Sequence, residues 1–147
     1  MLRTIGKPQA ADPFVGKYHL IDSQGFDEFM IALGINFLQR KLAGTAKPDY
    51  DITKNGDYYT LKTVAPLKSS EFTFKFGEEF EQDRINGERV KGIIKLEGNK
   101  WVEKQFGSKA TIDVVREFNG DKIIATATVK PSADEPPVTM IRTYQKF

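Results

Sequence analysis

The chain contains no cysteine and a single histidine. Disulfide bonds, thiolate catalysis and cysteine-based metal centres are therefore excluded. A lone histidine supports neither a two-histidine metal site nor a Cys–His pair. No stretch approaches the ~18 consecutive apolar residues of a membrane-spanning helix. Residues 1–13 lack the apolar run of a secretory signal and, with Lys7-Pro8 and Asp12-Pro13, read as a flexible polar leader to one domain over residues 14–147. A cytoplasmic location is the default expectation, although a signal removed upstream of Met1 would leave no trace. Charge of one sign is also lacking. The 22 basic and 20 acidic residues leave +2, too little to make nucleic acid or an anionic membrane the main partner. Lys100 to Phe106 interleaves lysines with aromatics, but Glu103 cancels part of that charge. No glycine-rich phosphate loop opens a helix, since Gly16-Lys17 runs into a strand pattern.

Turn signals are abundant. Asn-Gly occurs at Asn55-Gly56, Asn86-Gly87 and Asn119-Gly120, and Gly98-Asn99 adds a fourth site. Both residue types tolerate the positive φ that two-residue hairpin turns require. Between the turns lie short alternating runs rich in Thr, Val, Ile, Phe and Tyr, such as Tyr58 to Val64, Glu71 to Phe76 and Lys91 to Leu96. This pattern predicts an all-β antiparallel meander, closed as a barrel or folded as a sandwich, of roughly ten strands. From Phe26 to Ala43 the spacing changes to helical, with apolar residues at Phe26, Phe29, Met30, Leu33, Phe37, Leu38 and Leu42. Asp27 and Glu28 suit a first turn, Gly34 can end one helix, and Arg40 and Lys41 fall late in a second. Lys130 to Pro137 is too long and too proline-rich for a tight turn and reads as a surface excursion.

Two arginines stand out against this pattern. In the strand Ile112 to Phe118, Arg116 shares a face with Ile112, Val114 and Phe118. In Val138 to Tyr144, Arg142 shares one with Val138, Met140 and Tyr144. A guanidinium cannot shed its proton near neutral pH, so a buried one needs an acceptor. For Arg116 that acceptor is either a protein glutamate, with the arginine stem packed on apolar residues, or an anion brought by a ligand. Arg142 with Tyr144 offers a planar donor fork and a hydroxyl to a carboxylate. Roughly eight strands already leave room for one small ligand inside a barrel, so ten predict a cavity into which both arginines point. His19 reads as a solvated strand residue, and Glu78, Glu79 and Glu81 as a solvated edge rather than an acid–base pair.

The sequence resembles the intracellular lipid-binding proteins, and among them the fatty-acid-binding proteins of the heart, adipocyte and brain-like branch. The resemblance is carried by Gly16-Lys17-Tyr18-His19-Leu20, Gly25-Phe26-Asp27-Glu28-Phe29-Met30 and Leu33. It continues through Lys47-Pro48, Asn55-Gly56-Asp57, Leu61-Lys62-Thr63, Phe74 to Phe80, Val115-Arg116-Glu117 and Arg142-Thr143-Tyr144. It implies a ten-stranded antiparallel up-and-down β-barrel, or β-clam, with a helix-turn-helix lid between strands 1 and 2. It further implies a monomeric, non-enzymatic carrier of a long-chain fatty acid that needs no metal or other cofactor. The ligand carboxylate is implied to lie against Arg142 and Tyr144, with Arg116 contributing directly or through water. Phe26, Met30, Pro48, Thr63 and Leu67 are implied to line the acyl-tail region or the portal. Keeping arginine at both positions, where retinol-binding relatives tend to have glutamine, favours an acid over an alcohol, with a retinoid acid as the alternative. A further alternative is an interaction module that docks its helical lid, near Arg40, Lys41 and Lys47, on a membrane or receptor. An enzyme on the same barrel has little support. Three departures from the family pattern are the long leader, the insertion at Ser132 to Pro137, and the small Ala125 and Ala127 where relatives often carry larger aliphatics.

Overall fold

The computed structural model describes residues 12–66, 68–108 and 110–147. Of the expected leader only Asp12 and Pro13 are among them, and Leu67 lies outside. The chain runs β1 (Gly16–Gln24), α1 (Phe26–Ala32), α2 (Phe37–Thr45), β2 (Asp49–Asn55), β3 (Tyr58–Val64), β4 (Ser70–Phe74) and β5 (Phe80–Asp83). It continues with β6 (Arg89–Glu97), β7 (Lys100–Phe106), β8 (Thr111–Asn119), β9 (Lys122–Lys130) and β10 (Val138–Lys146). The ten strands form one sheet in the order β4-β3-β2-β1-β10-β9-β8-β7-β6-β5. Pairing of β1 with β10 joins the two ends of the chain. β4 and β5 face each other without ladder bonds, so the sheet curls into a nearly closed barrel with one seam. The expected all-β barrel with two helices between its first and second strands is what folds.

The turns follow the sequence signals with two changes, one being that Asn86-Gly87 sits inside the longer connection between the paired Asp83 and Arg89 rather than in a two-residue turn. In the two-residue hairpins Asn55 pairs with Tyr58 and Asn119 with Lys122, so the central residues are Gly56-Asp57 and Gly120-Asp121. Gly56 and Gly120 have φ of 63° and 62°, and no described non-glycine residue has positive φ. The glycine alone supplies the left-handed step, and the asparagine stays in the strand. The helices are short, and α2 runs on to Thr45, which leaves Arg40 and Lys41 at its middle rather than in its last turn. Asn36 caps α2, its side chain accepting the Gln39 N–H at 2.9 Å. α1 buries Phe29 and Met30, whereas α2 buries nothing.

Two apolar clusters fill the molecule. Under the helices, Phe29, Met30 and Ile35 pack on Ile112, Val114, Ala127 and Val129. The other cluster is aromatic and closes one end of the barrel around the fully buried Trp101. Its ring lies 5.4 Å from Phe14, 5.0 Å from Phe74 and 4.9 Å from Phe118. The Phe14 and Phe74 contacts are edge-to-face, a geometry that adds to the area each ring buries.

Phe14 reaches that cluster because Asp12 fixes the chain ahead of β1. The Asp12 carboxylate accepts the backbone N–H groups of Phe14 and Val15 at 2.8 and 3.1 Å and the Tyr59 hydroxyl at 2.6 Å, with Lys54 Nζ 3.5 Å away. Burial opposes the carboxylate charge, but these donors and Lys54 outweigh it and hold its pKa below the ordinary value. A depressed folded pKa stabilises above the unfolded value of ~3.9 and ceases to do so as pH falls through the folded one. Asp12→Ala is therefore expected to lower unfolding stability by about 2 kcal/mol at pH 7. Urea titrations should show the gap from wild type narrowing toward pH 2.

Candidate functional site

The side-chain alternation of β8 and β10 places Arg116 and Arg142 inside the barrel, 7% and 9% exposed. They sit on either side of one residue. Ala125 of β9 is in register with Arg116 on β8 and with Arg142 on β10. The side chain between the two guanidinium-bearing strands at this level is a methyl group. Tyr144, two residues beyond Arg142 on the same face, is buried and stacks on Tyr50 of β2 with ring centroids 3.9 Å apart. Burial raises the Tyr144 phenol well above its ordinary pKa, Tyr50 adds to the rise, and Arg142 opposes it. Tyr144 is thus a neutral hydroxyl donor at physiological pH.

Arg116 has an acceptor within the protein. Its Nη1 donates to Glu103 Oε1 at 2.6 Å, and Glu103 is 1% exposed. The other carboxylate oxygen accepts from Gln82 Nε2 at 2.7 Å and Gln105 Nε2 at 2.8 Å. Gln105 Oε1 in turn accepts from Arg84 Nε at 3.0 Å, and Arg84 pairs with Glu88 at 2.9 Å. Burial works against the Arg116 charge, but neighbouring Tyr50 and Glu103 overcome it and raise its pKa. Arg116 therefore has a protein glutamate as one acceptor. It comes from β7 rather than from the adjacent Glu117.

Arg142 differs. Its Nε donates to Ser23 Oγ at 3.1 Å, and its Cζ lies 4.0 Å from the centre of the Phe26 ring. Among the described residues no carboxylate lies within ion-pair distance of it. A β-bulge is the reason. Leu20 pairs with Tyr144, but Asp22 pairs with Thr143 and Ser23 with Arg142, so Ile21 is an extra residue in β1. Without it Asp22 would stand opposite Arg142. With it the neutral Ser23 stands there, and Asp22 is exposed and accepts from Gln24 at 3.2 Å.

The other expected site residues spread outward from this centre. Phe26 at the start of α1 faces Arg142 on one side and lines a cavity of ≈ 300 Å³ between the two helices with Phe37, Arg40 and Lys41 on the other. Met30 is buried in the cluster beneath the helices. Pro48 is buried just ahead of β2, and Thr63 is half-buried in β3 opposite Tyr50. Leu67 lies outside the described residues. Three residues of the site were not read from the sequence: Tyr50, Glu103 and Ser23. Glu103 was detectable, because Trp101, Glu103 and Gln105 share one strand face with an unmistakably apolar first member. Tyr50 alternates with Ile52, but nothing local ties it to Tyr144, and Ser23 reaches the site only through the bulge. Among the described residues no group of His, Cys, Asp or Glu is placed to hold a metal ion.

The model of the lipocalin / cytosolic fatty-acid binding protein family matches residues 15–146. A fatty acid-binding protein of Lepidoglyphus destructor is 42% identical over 132 residues, covering 89% of this chain and 95% of that protein. The fatty acid-binding protein from brain tissue of Drosophila melanogaster superposes with a TM-score of 0.81 at 39% identity, covering 90% of this chain and 98% of that one. The Schistosoma mansoni fatty acid binding protein in complex with arachidonic acid superposes with a TM-score of 0.82 at 35% identity, covering 92% and 96%.

An acid opposite Arg142 should close this site from within. Ser23→Asp is expected to raise the melting temperature of the ligand-free protein by a few degrees. Calorimetry should show its affinity for an aliphatic carboxylate lowered about tenfold or more, the scale of a 1.4 kcal/mol loss to internal competition.

Proposed function

The chain belongs to the lipocalin / cytosolic fatty-acid binding protein family and is a binding protein for fatty acids; we propose that it carries long-chain members non-enzymatically in the cytoplasm, with the ligand carboxylate on Arg142 and Tyr144. The observation that carries this reading is the one buried guanidinium without an acidic partner among the described residues, set beside a buried phenol that remains a donor. A carboxylate there completes the donor fork of Arg142, and the Tyr144 hydroxyl supplies a further bond. Phe26 covers the charged end, its ring against the guanidinium. The acyl chain extends along the apolar interior, where each buried CH₂ contributes roughly 0.8 kcal/mol. Pro48, Thr63, Met30 and Leu67 are assigned to the tail region or its portal. No cofactor takes part, since holding and releasing an acid requires only this donor set and an apolar wall. A retinoid acid is the second ligand class compatible with the same donors, and the small Ala125 and Ala127 give it room.

A second reading concerns delivery, and α2 favours it. Phe37, Leu38 and Leu42 are 64%, 68% and 53% exposed, with Arg40 and Lys41 beside them. Arg40 is paired with Asp27 at 3.0 Å, so Lys41 is the cation this apolar face offers for transient contact with an anionic bilayer.

Arg142→Gln removes the unpartnered charge and keeps the side chain polar. Titration calorimetry should show oleate bound at least tenfold more weakly by a barrel with an unchanged circular dichroism spectrum. Unchanged affinity would remove Arg142 from the clamp, and mass spectrometry of lipid extracted from the purified protein would reveal a sterol or neutral lipid if the ligand class is wrong. For delivery, transfer of a fluorescent fatty acid to anionic vesicles should slow as salt rises from about 0.05 to about 0.5 M, because screening shortens the reach of Lys41. A salt-independent rate would indicate diffusion through water instead.

A further inference from the structure

The barrel already contains one carboxylate, and it is held as a bound carboxylate would be. Glu103 takes one charged donor from Arg116 and two amide donors from Gln82 and Gln105, all between 2.6 and 2.8 Å, and is 1% exposed. Glu103 approaches Arg116 from β7, leaving β9 and β10, where Ala125 and Arg142 stand, on the other side of the guanidinium. Among the described residues the buried charges of this part of the interior are Arg116, Arg142 and Glu103. Arg84 is matched separately by Glu88. Arg116 and Glu103 cancel, and Arg142 leaves a single positive charge.

From this arrangement we propose that Glu103 is a specificity-determining residue: a permanent counter-anion that occupies Arg116, leaves Arg142 as the sole reader of ligand charge, and so tunes the barrel to head groups with one negative charge. The inference rests on the carrier reading above and deepens it by naming what sets the head-group class. A neutral head group leaves the Arg142 charge unmatched. A phosphate monoester brings close to two charges at neutral pH and meets, among the described residues, one buried cation without an acidic partner, with the Glu103 carboxylate nearby to repel the second charge. Burial makes such mismatches matter, because a charge in this interior lacks the water that would otherwise screen it. Arg116 Nε, buried and without a partner, shows that the guanidinium retains donor capacity on which a second negative charge could draw if Glu103 were neutral.

Three ligands with one tail test this: oleyl alcohol, oleate and oleyl phosphate, titrated by calorimetry at pH 7.4 into the full-length protein. Wild type is expected to prefer oleate. Glu103→Gln frees Arg116 and should shift the ratio of oleyl phosphate to oleate affinity at least tenfold toward the phosphate, with alcohol binding within threefold of wild type. An unshifted ratio in the folded variant, or equal changes for all three ligands, would overturn the proposal and make Glu103 a structural residue only. Should Glu103→Gln fail to fold, Glu103→Asp decides: the shorter carboxylate loosens the contact with Arg116 and is expected to shift the same phosphate-to-oleate ratio in the same direction, and an unshifted ratio would overturn the proposal. If wild type binds none of the three, it is the carrier reading that fails.

Discussion

A guanidinium inside a barrel must have an acceptor, and the organisation of this interior follows from how that demand is met. Among the described residues three arginines are buried. Arg84 has Glu88 and Arg116 has Glu103, both at hydrogen-bonding distance. Arg142 has a serine hydroxyl and an aromatic ring. Among the described residues those contacts leave its charge without an acidic partner, which is why the proposed carboxylate clamp is centred on it.

The rest of the fold holds this imbalance in place. Pairing of β1 with β10 brings residues from the two ends of the chain, Ser23 and Arg142, into contact across 119 positions. The bulge at Ile21 decides which residue of β1 meets the arginine, and one residue of register separates a serine from an aspartate. The aromatic cluster around Trp101 and Phe14 reaches Tyr50, Ala125 and Tyr144 beside the arginines, and a second apolar cluster lies beneath the helices. Of those helices α1 is bound into the structure through Phe29 and Met30, whereas α2 keeps its apolar side outward. The lid therefore combines a fixed half that reaches Arg142 through Phe26 with a half suited to meeting other surfaces.

Much of this was legible in the sequence because it depends on local physics. Alternation with period two placed Arg116 and Arg142 on apolar faces before any fold was known, and both are buried there. The change to helical spacing at Phe26 marked the two helices, and the glycines marked the hairpins. The prolines of residues 131–137 marked the one long connection late in the meander. Ala125 and Ala127 face inward, as their strand positions require. The family resemblance supplied the closure into a barrel that periodicity alone left undecided against a sandwich.

What periodicity cannot carry is which residue stands across from which. Glu103 was visible as one acid among 20, and its role appears only when β7 lies beside β8 and turns its carboxylate toward Arg116. Tyr50 meets Tyr144 because β1 lies between their strands in a curled sheet, and Ser23 meets Arg142 because of a single extra residue. The sequence by itself determined the faces, the turns and the presence of inward charge, because those are set by neighbours along the chain. Only the tertiary structure decided which of the inward charges are cancelled, because cancellation depends on strand register and distances of about 3 Å between residues far apart in sequence.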